Sequence, residues 1–368
     1  VARTPLDLPD FPWDALVPFG AVARRHAGGI VDLSVGSPVD PTPQLIRDAI
    51  TAATDAHAYP QVAGTPALRE AIVEWFGRRR GVRDLSVGNV LPSIGSKELI
   101  AWLPLMLGIG EGDVVVHPEV AYPTYAIGAA LAGATALASD DPAAWPENTR
   151  LVWINSPGNP DGRVLDVETM AAMVARAREL GAVIAGDECY AELNWAADEP
   201  TPSILDPRVT GGDNSSVLAV YSLSKQSNLA GYRAGFVAGD ATLVAELLSV
   251  RKHAGLIPPA PVQAAMIVAL GDESHVAAQR ALYRARRDRL KAAIEAAGFT
   301  VDHSEAGLYL WATRGQDAWQ TVGDLAEHGV LVVPGSFYTD GAPQHVRMAL
   351  TVSDADVDTA VERFAALR

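Results

Sequence analysis

Cysteine is almost missing from this sequence: Cys189 is the single one in 368 residues. One thiol excludes an internal disulfide framework and any thiolate metal cluster, and it fits a reducing cytoplasm. Long apolar runs are missing too. The longest, residues 99–107, is about half of what a bilayer requires and contains Pro104, so no membrane partner is expected. Positive charge is in deficit, with 29 Lys and Arg against 44 Asp and Glu and a formal net charge of −15. Phosphate backbones are bound by clustered cations, so a nucleic-acid partner is disfavoured. The basic runs that do occur, Arg78-Arg79-Arg80 and residues 284–289, close or lie on amphipathic helix patterns and read as solvated helix faces. The N-terminus, with Asp7 and Asp10, shows no charged-then-apolar signal pattern, and secretion is not expected.

What is present is the make-up of a packed globular protein, 49% hydrophobic and 20% charged. A chain of this length exceeds one typical core and suits two domains. Residues 1–35 are Pro-rich and irregular. Beyond Gln44, Leu45, Ala49, Ile50 and Ala53 share a helical face, and Leu68, Ala71, Ile72, Trp75 and Phe76 repeat at helical spacing. Short β-branched runs then recur at 114–116, 151–154, 182–185 and 217–220, with helical stretches such as 167–180 between several of them. Strands alternating with helices imply a largely parallel sheet covered on both faces. Near Asp240 the pattern changes to long amphipathic helices, and a strand-rich tail follows at 309–312, 330–333 and 346–349. The expected fold is α/β. Residues 36–240 form a large domain with a mostly parallel central sheet flanked by helices. Residues 1–35 and 241–368 form a smaller α+β domain.

In open α/β sheets, ligands bind beyond the carboxyl ends of the strands. The run 151–154 is followed by Asn155-Ser156-Pro157-Gly158-Asn159-Pro160-Asp161-Gly162, and 182–185 by Gly186-Asp187-Glu188-Cys189-Tyr190. The run 217–220 is followed by Tyr221-Ser222-Leu223-Ser224-Lys225, then Gly231-Tyr232-Arg233. Three successive strands thus deliver polar groups to one edge. Each type of group has a use in pyridoxal 5'-phosphate (PLP) chemistry. A lysine must form an imine with the cofactor, and an acid must keep the pyridine nitrogen protonated so that the ring accepts electrons. Lys225 and Asp187 suit those roles. Asn159 and Tyr190 could donate to the ring's phenolic oxygen. Ser222, Ser224 and Arg233 suit the phosphate, as does Gly95-Ser96-Lys97, which enters an apolar helical run.

Taken singly, each piece has a plainer reading. Asn-Pro-Asp-Gly is a turn, Asp187 could cap a helix, and Lys225 could be a surface lysine. Gly95-Ser96-Lys97 lacks the upstream glycine of a P-loop. Residues 108–113 echo a dinucleotide fingerprint, but Asp113 takes the last glycine position and a strand follows, so they read as a turn.

Taken in order, the pieces are specific. Asn159-Pro160-Asp161-Gly162, Asp187-Glu188-Cys189-Tyr190, and Ser222-Leu223-Ser224-Lys225 with Arg233 eight positions on form a single ordered set. With it the chain resembles the fold-type I, class I/II PLP-dependent aminotransferases over essentially its whole length. The resemblance implies that Lys225 holds the cofactor and carries the proton, with Asp187 against the ring nitrogen and Tyr190 beside the ring. It further implies that Tyr122 stacks on the ring, that Gly36 lies near the substrate carboxylate, and that Arg347 clamps that carboxylate through two parallel hydrogen bonds. Tyr59 would reach the phosphate in a neighbouring subunit's site, so a homodimer with shared sites is implied. Small amino-acid and keto-acid substrates and ping-pong kinetics follow. Without the resemblance, Tyr59 and Tyr122 would read as core aromatics and Arg347 as a surface charge.

Residues 8–14, Leu-Pro-Asp-Phe-Pro-Trp-Asp, with Gly36-Ser37-Pro38-Val39-Asp40-Pro41, further resemble the actinobacterial succinyldiaminopimelate aminotransferases. That implies glutamate as donor and N-succinyl-2-amino-6-ketopimelate as acceptor, in lysine and diaminopimelate synthesis. Such an acceptor calls for a second basic group. Arg24, Arg25, Arg251, Lys252 and His253 are candidates, each equally readable as solvated surface. An alanine- or aspartate-type aminotransferase and a PLP carbon–sulfur lyase share most of these motifs. A non-catalytic PLP sensor would need a DNA-binding domain, and a nicotinamide dehydrogenase would need G-x-G-x-x-G after its first strand.

Overall fold

The computed structural model describes residues 8–196 and 200–367. Residues 1–7, Asp7 among them, and residue 368 lie outside the described residues.

The N-terminal segment supplies α1 (Val17–Arg24) and the short strand β1 (Val31–Asp32). Helices α2 (Gln44–Ala52) and α3 (Pro66–Trp75) lead into β2 (Val90–Ile94) and α4 (Ser96–Met106). Then come β3 (Val114–His117), α5 (Thr124–Ala132), β4 (Thr135–Ala138), β5 (Thr149–Asn155), α6 (Val167–Glu179) and β6 (Val183–Asp187). The short α7 (Pro207–Thr210) precedes β7 (Val217–Ser222) and β8 (Ala234–Gly239). Three longer helices follow, α8 (Ala241–Ala254), α9 (Ala260–Gly271) and α10 (Ser274–Ala296). The chain closes with β9 (Thr300–Asp302), β10 (Tyr309–Thr313), α11 (Ala318–Glu327), β11 (Val330–Leu331), β12 (Val333–Pro334), β13 (His345–Ala349) and α12 (Asp354–Ala365).

Seven strands form the large sheet in the order β2-β8-β7-β6-β5-β3-β4. Strands β7, β6, β5, β3 and β4 run parallel, and β8 is antiparallel to both of its neighbours. Continuous apolar runs make these strands, because helices cover both faces and no alternate position reaches water. The two-residue side-chain period still sorts them. Val152 and Ile154 face one core with Trp75, Tyr221 and Phe236, whereas Leu151 and Trp153 face the other with Leu103, Tyr125 and Val220. Register sets Asn155 opposite Asp187, and Asp187 opposite Val220, so the carboxyl ends of β5, β6 and β7 finish almost level.

A second domain core, separate from the two that flank the large sheet, lies under the four-stranded antiparallel sheet β12-β13-β10-β9. The N-terminal segment joins it through Leu16, Val31 and Leu33, and β1 pairs parallel to β11. A domain boundary at residue 240 groups α8 and α9 with this unit; the structure packs them on the large sheet instead. Val244 and Leu247 of α8 belong to one of its cores, and Val262, Met266 and Leu270 of α9 to the other. The change of partner comes at α10, whose Tyr283, Leu290 and Ile294 enter the second core. Helical periodicity marks a buried face without saying which neighbour buries it. Among the described residues, no helix is long and apolar enough to cross a membrane.

Candidate active site

A cavity of about 910 Å³ lies at the carboxyl ends of β5, β6 and β7 and takes its walls from both domains. Asn155, at the end of β5, organises the first wall. Its side-chain amide donates to the carbonyls of Pro157 (3.1 Å) and Asp187 (3.0 Å), and its Oδ1 accepts from the Asn159 N–H (2.8 Å). The Asn159–Gly162 turn is thereby folded back onto the end of β6. Gly162, at φ 73°, lets this turn meet the small domain, since a Cβ there would stand 2.3 Å from the Ala306 carbonyl.

The end of β6 carries two adjacent carboxylates with opposite fates. Glu188 turns away into a buried ion pair with Arg80 (2.7 Å) and accepts from Ser203 and the Ile204 N–H. Asp187 faces the cavity, accepting from the Tyr125 hydroxyl (2.9 Å) and the Cys189 N–H (3.2 Å). Burial raises its pKa above the ordinary carboxylate value, and those hydrogen bonds offset only part of the rise. A cationic ring N–H brought to Asp187 would relieve that cost.

The end of β7 supplies Ser222 and Ser224, whose hydroxyls are hydrogen-bonded to each other (2.8 Å), and then Lys225. The Lys225 Nζ donates to the Gly36 carbonyl. Burial pushes its amine below the usual lysine range, and the charges of Arg347 and Arg233 act in the same direction. Arg233 adopts the left-handed conformation (φ 57°) and donates to the Ala230 carbonyl at 2.8 Å. Its guanidinium presses on Gly95, where a Cβ would lie 2.4 Å from Nη2. Gly95 has φ 79° and gives α4 no side-chain cap, which leaves the first backbone N–H groups of that helix for an anion.

Arg347 reaches the cavity from β13. Its Nη2 donates to the Ser34 carbonyl (2.6 Å) and its Nη1 to Asn159 Oδ1 (3.2 Å), while the guanidinium lies 4.0 Å over the Tyr309 ring. Its buried Nε has no hydrogen-bond partner among the described residues. Lys97, Lys225, Arg233 and Arg347 all line the cavity, and none is ion-paired to a carboxylate among the described residues. In a protein of net charge −15 this is a built anion site. Two separated cation groups, a buried acid and aromatic walls fit a phosphorylated pyridine ring and a carboxylate lying beside it.

Of the residues picked out in the sequence, Gly36, Ser96, Lys97, Tyr122, Asn159, Asp187, Tyr190, Ser222, Ser224, Lys225, Arg233 and Arg347 line this one cavity, and Gly95 stands behind Arg233. Burial pushes the Tyr122 phenol up to about 12. Tyr59 is not among the lining residues; it is 98% exposed. The candidates for a distal carboxylate fall elsewhere. Arg24 and Arg25 are exposed at the end of α1, Lys252 and His253 at the end of α8. Arg251 is fully buried and spent on Glu98 (3.0 Å). Sequence reasoning missed Tyr125, Tyr309, Tyr338, Phe337 and His117. Tyr125 could have been found beside Tyr122, whereas Tyr309 and Tyr338 carry no local signal that separates them from core aromatics.

The family model for aminotransferase class I and II matches residues 29–364. A probable aminotransferase of Mycobacterium tuberculosis is 54% identical over 97% of this chain and 85% of its own length. The 4-dedimethylamino-4-oxo-anhydrotetracycline transaminase of Streptomyces rimosus is 52% identical over 97% of this chain and 99% of its own length. Among solved structures, the N-succinyldiaminopimelate aminotransferase of Mycobacterium tuberculosis superposes with a TM-score of 0.87 at 28% identity, covering 98% of this chain and all of that one (100%).

Proposed function

Because the chain belongs to the class I and II aminotransferases and is therefore a PLP-dependent transaminase, we propose that it moves the amino group of glutamate to N-succinyl-2-amino-6-ketopimelate. The observation that carries the site assignment is the meeting of Lys225, Asp187 and Arg347 in one cavity. When bound, PLP supplies the electron-accepting ring that makes an amino acid's Cα proton removable. The residues do the rest.

Lys225, with its amine held toward the neutral form, is the group that holds the cofactor and takes and returns the Cα proton. Asp187 accepts the ring N–H and keeps that proton in place. Asn159 and Tyr190 donate to the ring's phenolic oxygen, and Tyr122 packs on the ring face. Arg233, Ser222, Ser224 and the backbone of Gly95, Ser96 and Lys97 hold the phosphate. Arg347 binds the α-carboxylate, its orphaned Nε being one of the donors still available. Tyr59 projects into the site of a second subunit, which makes the working form a homodimer in the cytoplasm.

One feature supports an acceptor with a remote carboxylate. Among the described residues Lys97 has neither an ion pair nor a side-chain hydrogen bond, and we assign its ammonium, which lines the cavity, to the distal carboxylate. A second reading is a bulky ring ketone, as the name of the Streptomyces rimosus relative describes for that protein. It is favoured by the aromatic wall of Phe11, Trp13 and Phe337, with Phe11 stacked on Trp13 at 5.5 Å and Trp13 tilted against Phe337 at 5.4 Å. Measuring kcat/KM with glutamate and a panel of acceptors decides between them. The succinylated keto acid should exceed short, aromatic and polycyclic acceptors by at least about tenfold, the size of one well-made polar contact. If a short or ring ketone prevails, the substrate assignment is wrong.

A further inference from the structure

Arg347 touches both groups assigned as donors to the ring's phenolic oxygen, but by different routes. Asn159 is reached directly, through Nη1 (3.2 Å). The route to Tyr190 passes through Tyr309. Trp311 of β10 is paired with Arg347 of β13, so Tyr309, two residues earlier, lies on the same face one step along the ladder. The guanidinium stands over its ring at 4.0 Å, and its hydroxyl is 3.3 Å from that of Tyr190. The two rings meet edge to face at 5.8 Å. The hydroxyl also explains Gly36: a Cβ at that position would lie 2.0 Å from Tyr309 Oη. The peptide pressed against the phenol is thus the one whose carbonyl holds Lys225.

We propose that Tyr309 is a positioning residue that tunes Tyr190, coupling the carboxylate-binding Arg347 to the donor on the ring's phenolic oxygen. This rests on the cofactor assignment above. Either hydroxyl can donate in this 3.3 Å pair; the proposed arrangement has Tyr309 donating once the cofactor is bound, which frees the Tyr190 proton for a stronger bond to the ring oxygen. The charged groups facing Tyr309 are Arg347 from β13 and Lys225 from the loop after β7; Tyr190, Tyr338, Tyr122, Tyr283 and Cys189 are the other titratable groups around it. Although burial alone raises a phenol's pKa, Arg347, Lys225 and the hydrogen bond with Tyr190 bring that of Tyr309 below its ordinary value. Pairing Arg347 with a substrate carboxylate weakens that pull, so Tyr190 reports whether substrate is seated.

The test uses the holoenzyme and Tyr309→Phe, which keeps the ring under Arg347 and removes only the hydroxyl. The readout is the pH midpoint of the visible absorbance of the Lys225-held cofactor, measured in wild type, Tyr309→Phe, Tyr190→Phe and the double variant. Loss of the hydroxyl should raise the midpoint by a threefold to tenfold change in proton affinity, about what one hydrogen bond contributes. In the Tyr190→Phe background the second substitution should change nothing further. An unchanged midpoint in Tyr309→Phe, or equal shifts in the two backgrounds, overturns the proposal. A wild-type protein with no visible absorbance would instead overturn the cofactor assignment.

Discussion

At the scale of single residues, the site is built from side chains held in states they would not choose in water. Asp187 is the clearest. A buried carboxylate with a raised pKa destabilises the cofactor-free fold as pH increases through that pKa, because the unfolded chain ionises more readily. Lys225 is the mirror case. Its folded pKa is depressed, so its contribution is present above the unfolded pKa and lost as pH falls through the folded one. Cofactor-free Asp187→Asn should therefore unfold a few degrees above cofactor-free wild type at pH 7, roughly the yield of removing one unpaired buried charge. Its transamination should fall by at least about a hundredfold, since the ring nitrogen loses its partner. Thermal melts and steady-state rates read the two together, and a variant that loses stability while keeping activity would contradict the assignment. Arg347→Lys tests the other end of the substrate. A point-charge ammonium cannot reproduce the fork, so KM for the amino donor should rise by about tenfold to a hundredfold. A small change in KM would place the carboxylate elsewhere.

At the scale of elements, what the sequence revealed was the ends of strands. Strands β5, β6 and β7 were legible because each is a short β-branched run that stops at polar turn residues, and the order of those turns identified the site. Less was visible where contact partners lie far apart in the chain. Nothing in Tyr309 itself shows that β10 pairs with β13 and so brings it against Arg347. Nothing in Arg251 shows that it is spent on Glu98 inside the fold. The α4 terminus offers a test at this scale. Gly95→Ala adds a methyl group both where φ is 79° and where Arg233 stands 2.4 Å away. Displacing Arg233 from the phosphate site should weaken cofactor affinity by at least about tenfold, given the cost of a left-handed alanine alone. Equilibrium dialysis or absorbance titration measures it; unaltered affinity would mean the phosphate lies away from this turn.

At the scale of the whole molecule, the large and small sheets divide the labour. The large sheet fixes Asn159, Asp187, Lys225 and Arg233 from one side, and the small sheet brings Arg347 and Tyr309 from the other. The domain boundary was the least legible feature. Helices α8 and α9 read as amphipathic or apolar stretches, and only packing reveals that they cover the large sheet. The buried Arg80–Glu188 pair ties the residue after Asp187 to the helical turn Phe76–Arg80 that follows α3. Breaking it with Glu188→Ala should cost about 3–5 kcal/mol, the penalty for stranding a buried charge, read by denaturant unfolding of the protein. A cost below about 1 kcal/mol would show that the pair is screened by water and does not anchor the strand end.

The proposed enzyme depends on one ε-amine of this chain holding the cofactor. Holoenzyme reduced with borohydride and digested should yield a single pyridoxyl-bearing peptide, with the label on Lys225, and Lys225→Ala should carry none. A label on Lys97 or any other lysine, or a Lys225→Ala protein labelled as fully as wild type, would contradict the account.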